Sequence, residues 1–182
     1  FGIRGKNIVL FLFSLVFYAW GEPVYVLLMI YSTVLDFVCG RMIEDGEIKG
    51  DQKKKKIFLA VSLTGNLGLL GFFKYLVMLL STVNSLFSVG IEIPDIILPI
   101  GISFYTFQII SYIVDVYRGT PAQKKIVPFA CYITMFPQLI AGPIVQYGDI
   151  EKQLYSRKIT SQKMAAGIIF FIRGLGKKVL FA

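Results

Sequence analysis

A few side chains with charge or hydrogen-bonding capacity interrupt otherwise apolar blocks in this sequence. Asp36 breaks the block from Pro23 to Gly40, and Lys74 breaks the block from Ile57 to Ile91. Asp115 and Arg118 are three residues apart, so on a helix they share a face, with Tyr112 on that face as well. Ser103, Tyr105, Thr106 and Gln108 form a polar set just after Pro99 and Gly101. An ionisable group inside a membrane is costly and is a functional candidate by default. Each of these also has a structural reading. Asp36 can be the satisfied partner of a backbone group or of a segment outside this chain. Asp115 with Arg118 can be a charge pair at the inner membrane edge, and Lys74 a snorkelling anchor. The polar set at 103–108 either joins helices to each other or lines a path for a polar substrate. The chain has no His, so acid–base work would fall to carboxylates, Lys or Tyr. His-based zinc sites and triads are excluded for the same reason. No nucleophile–base pair is recognisable, and the glycines fit neither the P-loop nor the dinucleotide pattern. No cofactor and no metal are expected.

The elements that position these residues must be membrane helices. Of 182 residues, 55% are hydrophobic and 16% charged, and the mean hydropathy is +0.69. A soluble domain carries about a quarter charged residues, so this chain lacks the polar surface to cover a water-soluble core. Disorder is excluded by the apolar content. A disulfide scaffold is excluded because Cys39 and Cys131 lie inside apolar blocks. The net charge of +8 does not indicate nucleic acid, because the cations cluster between apolar blocks, where cytoplasmic loops lie. The partner implied is a lipid bilayer.

Six apolar blocks predict an all-α polytopic membrane protein with about five to six membrane helices and a broken re-entrant hairpin. They run 7–21, 23–40, 57–91, 96–117, 126–148 and from Met164 to the chain end. The first is short for a span, which suits a locally thinned bilayer or a helix starting near Gly2. The third would be roughly 50 Å long against a core of about 30 Å, so it bends or splits near Gly71–Tyr75. Arg41, Lys49 and Lys53–Lys56 crowd one inter-block segment, while the turn at Glu22 and the segment around Glu92 hold no cation. The positive-inside rule then puts residue 1 and the lysine run in the cytoplasm, and Glu22 and Glu92 outside. The lysine run is either a topogenic loop or an anionic-lipid site. The fifth block cannot span without leaving Lys152, Arg157, Lys158 and Lys163 outside. It contains Pro137 and Gly142-Pro143, which break helices. A hairpin entering and leaving on the cytoplasmic side satisfies both facts. Such backbone is tolerated only where protein or a water-filled cavity covers it.

Three stretches carry a resemblance. Leu98-Pro99-Ile100-Gly101-Ile102-Ser103-Phe104-Tyr105, Ser111–Gly119 and Phe136-Pro137-Gln138-Leu139-Ile140-Ala141-Gly142-Pro143-Ile144 resemble the membrane-bound O-acyltransferase family, and most closely its alginate O-acetyltransferase branch. Phe17–Trp20, Gly71–Tyr75 and Lys177-Lys178 fit that branch too. The resemblance implies a barrel-like helical membrane enzyme with a funnel open to the outside and a thin floor. It would pass an acyl group, acetyl in this branch, across the membrane to hydroxyls of an extracytoplasmic polysaccharide. The donor would be acetyl-CoA or an acyl carrier, with accessory acetylation proteins, and the site would be the inner (plasma) membrane. The family's catalytic His lies in a later part of the chain. Residues 1–182 are therefore expected to be the N-terminal part of one such domain, inactive alone. The residues that carry over as funnel or hairpin candidates are Pro99, Gly101, Ser103, Tyr105, Asp115, Tyr117, Arg118, Pro137, Gln138, Gly142 and Pro143, beside Gln108 from the polar set. Other readings are D-alanyl transfer to teichoic acid, a transporter or flippase with a broken-helix site, and a non-catalytic scaffold.

Overall fold

The structure, a computed structural model, describes residues 2–88, 90–139, 145–157 and 160–181. Each apolar block contributes helix, and no strand occurs among the described residues. Helix α1 runs Ile3–Gly21. It stops before Pro23, whose ring and missing donor disfavour further helix. Helices α2 (Val26–Ile48) and α3 (Gln52–Leu70) form a tight antiparallel pair. Gly50 closes α2 at φ +70°, a conformation that suits glycine. Asp51 caps α3, its side chain accepting from the Lys54 amide at 3.0 Å.

The long third block does not break at Gly71–Tyr75. There the hydrogen bonding widens to a single π-turn, and helix resumes as α4 (Leu76–Phe87). The helical run Gln52–Phe87 is thus 36 residues long, about 54 Å at 1.5 Å per residue. Helix α5 (Ile102–Tyr117) begins immediately after Pro99 and Gly101, where those residues forbid a regular helix to extend backwards. Block five is broken as expected, into α6 (Ile126–Thr134), α7 (Phe136–Leu139) and α8 (Tyr147–Tyr155). At nine residues, α6 is about 14 Å long and cannot cross a bilayer. Helix α9 (Ser161–Phe181) completes the chain.

Three runs, Ile3–Gly21, Val26–Ile48 and Gln52–Phe87, are long and apolar enough to cross a membrane. Helix α2 is central and packs on α3, α5 and α6, while α1 packs on α6, α7 and α8. Residues Pro128–Thr134 of α6 are all buried, so protein covers this interrupted segment, as backbone that is not a full span requires. The core is aromatic where the helices converge. Tyr112 lies 4.7 Å from Phe129 and 5.2 Å from Tyr147, and Tyr132 lies 5.3 Å from Tyr147, centroid to centroid. By contrast α4 buries no residue, and α9 is exposed along nearly all of its described length.

Candidate functional site

Asp36 is fully buried on α2. Its partners are side chains, not backbone groups: the Ser62 hydroxyl donates to Oδ1, and Asn66 Nδ2 donates to Oδ2 at 2.6 Å. Ser62 and Asn66 are one turn apart on α3, so they present two donors on one face. That spacing of polar residues inside an apolar block was the signal in the sequence for this pair. No cation within reach pairs with Asp36 among the described residues. Ser32, one turn before Asp36, is buried with its Oγ unpartnered, and Asn66 Oδ1 is unpartnered as well. The α2–α3 interface therefore holds a polar island with spare acceptors.

The polar set of α5 divides. Gln108 is buried and donates from Nε2 to the Tyr132 carbonyl at 2.7 Å, joining α5 to α6. Tyr105 is buried and its hydroxyl has no partner. Thr106 is buried, and Ser103 is half-buried. Pro99 is buried. Gly101, at φ +77°, sits so close to α7 that a Cβ there would lie 2.9 Å from the Leu139 carbonyl oxygen. The same corner receives the end of α1. The Tyr18 hydroxyl donates to the Ile100 carbonyl at 2.9 Å, and Phe17 lies 5.2 Å from Phe136. A largely apolar cavity of about 560 Å³ opens beside this junction, with Tyr18, Trp20, Glu22 and Leu139 among its walls. On α7, Gln138 Nε2 is buried without a partner among the described residues.

The expected Asp115–Arg118 pair is not made. Asp115 is half-buried, α5 ends at Tyr117, and the Arg118 side chain just beyond it is exposed. Tyr117 instead lies under a lysine, with Lys55 Nζ 4.8 Å from its ring centroid. Tyr112 points inward from the same helix and accepts from the Gln123 amide at 3.0 Å. The lysine run is also not a uniform solvated stretch. Lys54 pairs with Asp45, and Lys55 is buried and pairs with Glu47. Only Lys53 and Lys56 of the four remain exposed. Lys74 lies 5.5 Å from the Tyr75 ring centroid and is exposed, as a snorkelling anchor would be.

The hairpin is closed by Gln123, which the sequence did not single out. Its Nε2 donates to the Tyr147 hydroxyl, and its Oε1 accepts from the Tyr155 hydroxyl and from the Lys125 amide. Asn7 of α1 adds a bond from Nδ2 to the Leu154 carbonyl at 2.7 Å. The segment entering block five and the helix leaving it therefore meet. Pro137 falls within α7. Gly142 and Pro143 lie outside the described residues.

These features define a membrane-embedded helical protein with a buried, interrupted hairpin and unpartnered polar groups in its interior. Over its whole length the chain is similar to curated proteins named probable alginate O-acetylase, and it matches only their N-terminal third. It is 39% identical over 186 residues to the probable alginate O-acetylase AlgI of Pseudomonas aeruginosa, covering all of this chain and 35% of that protein. It is 39% identical over 184 residues to the namesake of Azotobacter vinelandii, covering 98% of this chain and 36% of the relative. It is 30% identical over 201 residues to a peptidoglycan O-acetyltransferase of Helicobacter pylori, covering 95% and 38%. The chain thus spans about a third of the length of these curated relatives. No protein-family model matches it, and no solved structure does.

Proposed function

We propose that residues 1–182 are the N-terminal part of a single membrane O-acyltransferase domain, in a protein that moves an acetyl group across the inner membrane to hydroxyls of an extracytoplasmic polysaccharide, alginate-like in chemistry. The observation that carries this reading is the match to the alginate O-acetylases along the whole chain, hairpin included. The geometry fits it in physical terms. A hairpin that enters and leaves on one side thins the protein layer between the two aqueous phases. Protein buries it, so irregular backbone can sit at membrane depth. The corner lined by Tyr18, Trp20, Ile100 and Leu139 lies at the opposite end of α1 from Asn7 and supplies walls for the acceptor side. Acetyl-CoA or an acyl carrier is the donor in this reading, and accessory acetylation proteins hand over the polymer. The general base, a His in the family resembled, is supplied from outside residues 1–182. The test is acetyl-ester content of the exported polymer in a strain deleted for the full-length gene. Full-length protein should restore it, and purified full-length protein in vesicles should transfer labelled acetyl from donor to polymer. Movement of an intact solute with no ester formed would replace this reading with a transporter.

A further inference from the structure

The crease where the start of α1 meets α8 and the entry to α6 has no role in the function proposed above. It encloses about 640 Å³. Its walls are apolar, from Ile8, Val127 and Leu154, and two cations, Arg4 and Lys125, sit on it. Neither cation pairs with a carboxylate among the described residues, and none of the lining residues is acidic. Lys125 is steered over the Tyr155 ring, with Nζ 5.4 Å from its centroid, and Tyr155 is itself anchored by Gln123. Both cations are exposed. The crease lies at the end of the helix Ile3–Gly21 that carries Arg4 and Lys6, the end that the positive-inside rule places at the cytoplasmic headgroups.

We propose that this crease is a binding site for an anionic phospholipid of the leaflet on the Arg4 side, phosphatidylglycerol in its chemistry. The phosphate would sit between Arg4 and Lys125 and one acyl chain would lie along Ile8, Val127 and Leu154. Two observations favour a lipid over a free anion. The cavity is mostly apolar, which a free phosphate cannot use, and its cations sit at a membrane boundary rather than in a polar cleft. The lysine run of α3 is the weaker candidate for the same ligand, because Lys54 and Lys55 already have carboxylate partners. A bound lipid here would brace α1 against the closed base of the hairpin.

The test uses full-length protein in mixed detergent and lipid, with native mass spectrometry counting retained lipids. Phosphatidylglycerol should be retained over phosphatidylcholine by about 25-fold, at about fivefold for each of the two cations at an anionic surface. The R4Q and K125Q double substitution should bring the two lipids level, while K53Q with K56Q should leave the preference intact. Equal retention of the two lipids by the unaltered protein would overturn the proposal without any variant having to fold. So would displacement of the lipid by millimolar inorganic phosphate, which would show a free-anion site. A preference abolished by K53Q with K56Q would overturn it in favour of the lysine run.

Discussion

Asn66 Nδ2 donates to Asp36 Oδ2 at 2.6 Å, which ties α3 to α2 through a carboxyl group that pairs with no cation among the described residues. A buried polar group that loses its partner is expensive, whereas removing both partners together is far less so. Asn66→Leu alone should therefore destabilise the full-length protein by about 1–3 kcal/mol. Asp36→Leu with Asn66→Leu should cost less than the sum of the two single changes. Thermal unfolding in detergent of the four proteins of this cycle measures the coupling, and strict additivity would mean the bond contributes nothing.

Gln123 is the clasp of the hairpin, so Gln123→Leu should open its base. The change leaves the Tyr147 and Tyr155 hydroxyls without their shared partner. Expected losses are on the order of 1–3 kcal/mol for the buried groups set free. The specific readout is protease sensitivity between Tyr147 and Tyr155 in membrane vesicles, which should rise while cleavage of the α2–α3 turn does not.

Both flanks of the hairpin should face the same side of the membrane. Single cysteines at Lys124 and Gln153, both exposed, should react with an impermeant thiol reagent from one side only, and from the same side as a cysteine at Gln52. A cysteine at Glu92 should react from the other side. Opposite labelling of Lys124 and Gln153 would make block five an ordinary span.

Gly101 combines a left-handed backbone with a close approach to Leu139. Gly101→Ala should destabilise the protein by about 1–2 kcal/mol from the backbone conformation, with a further penalty from the contact. Gly101→Asn separates the two causes. Asn tolerates positive φ better than Ala does, so rescue by Asn would show that the backbone angle dominates, and no rescue would show that the missing Cβ does.

Residues 1–182 expressed alone should not restore polymer acetylation in the deletion strain, while the full-length protein should. The chain has no His, and a positioned base is commonly worth about 10² to 10⁴ in rate. Ester content of the polymer decides it. Restoration by residues 1–182 would move attention to Asp115, Lys74 and Tyr105 and away from the family reading.

Much of the fold was legible in the sequence because a bilayer constrains it so tightly. Apolar length determined where helices form, Pro99 and Gly101 determined where α5 starts, and the conflict between Pro137 and the downstream cations determined that block five is broken. Each is a local property of the chain, read against hydrocarbon thickness or backbone sterics. Gly71–Tyr75 shows the limit of such reading. The excess length was visible, but not that a π-turn absorbs the irregularity without ending the helix. The partners of Asp36, the separation of Arg118 from Asp115, the capture of Lys55 by Glu47 and Tyr117, and the clasp at Gln123 were decided only by tertiary structure. A side chain's partner depends on which helices are neighbours and at what rotation, and uniformly apolar faces carry little record of either. Gln123 stands in a polar loop with no periodicity around it. Only the folded chain brings Tyr147 and Tyr155 to it, across 24 and 32 positions of sequence.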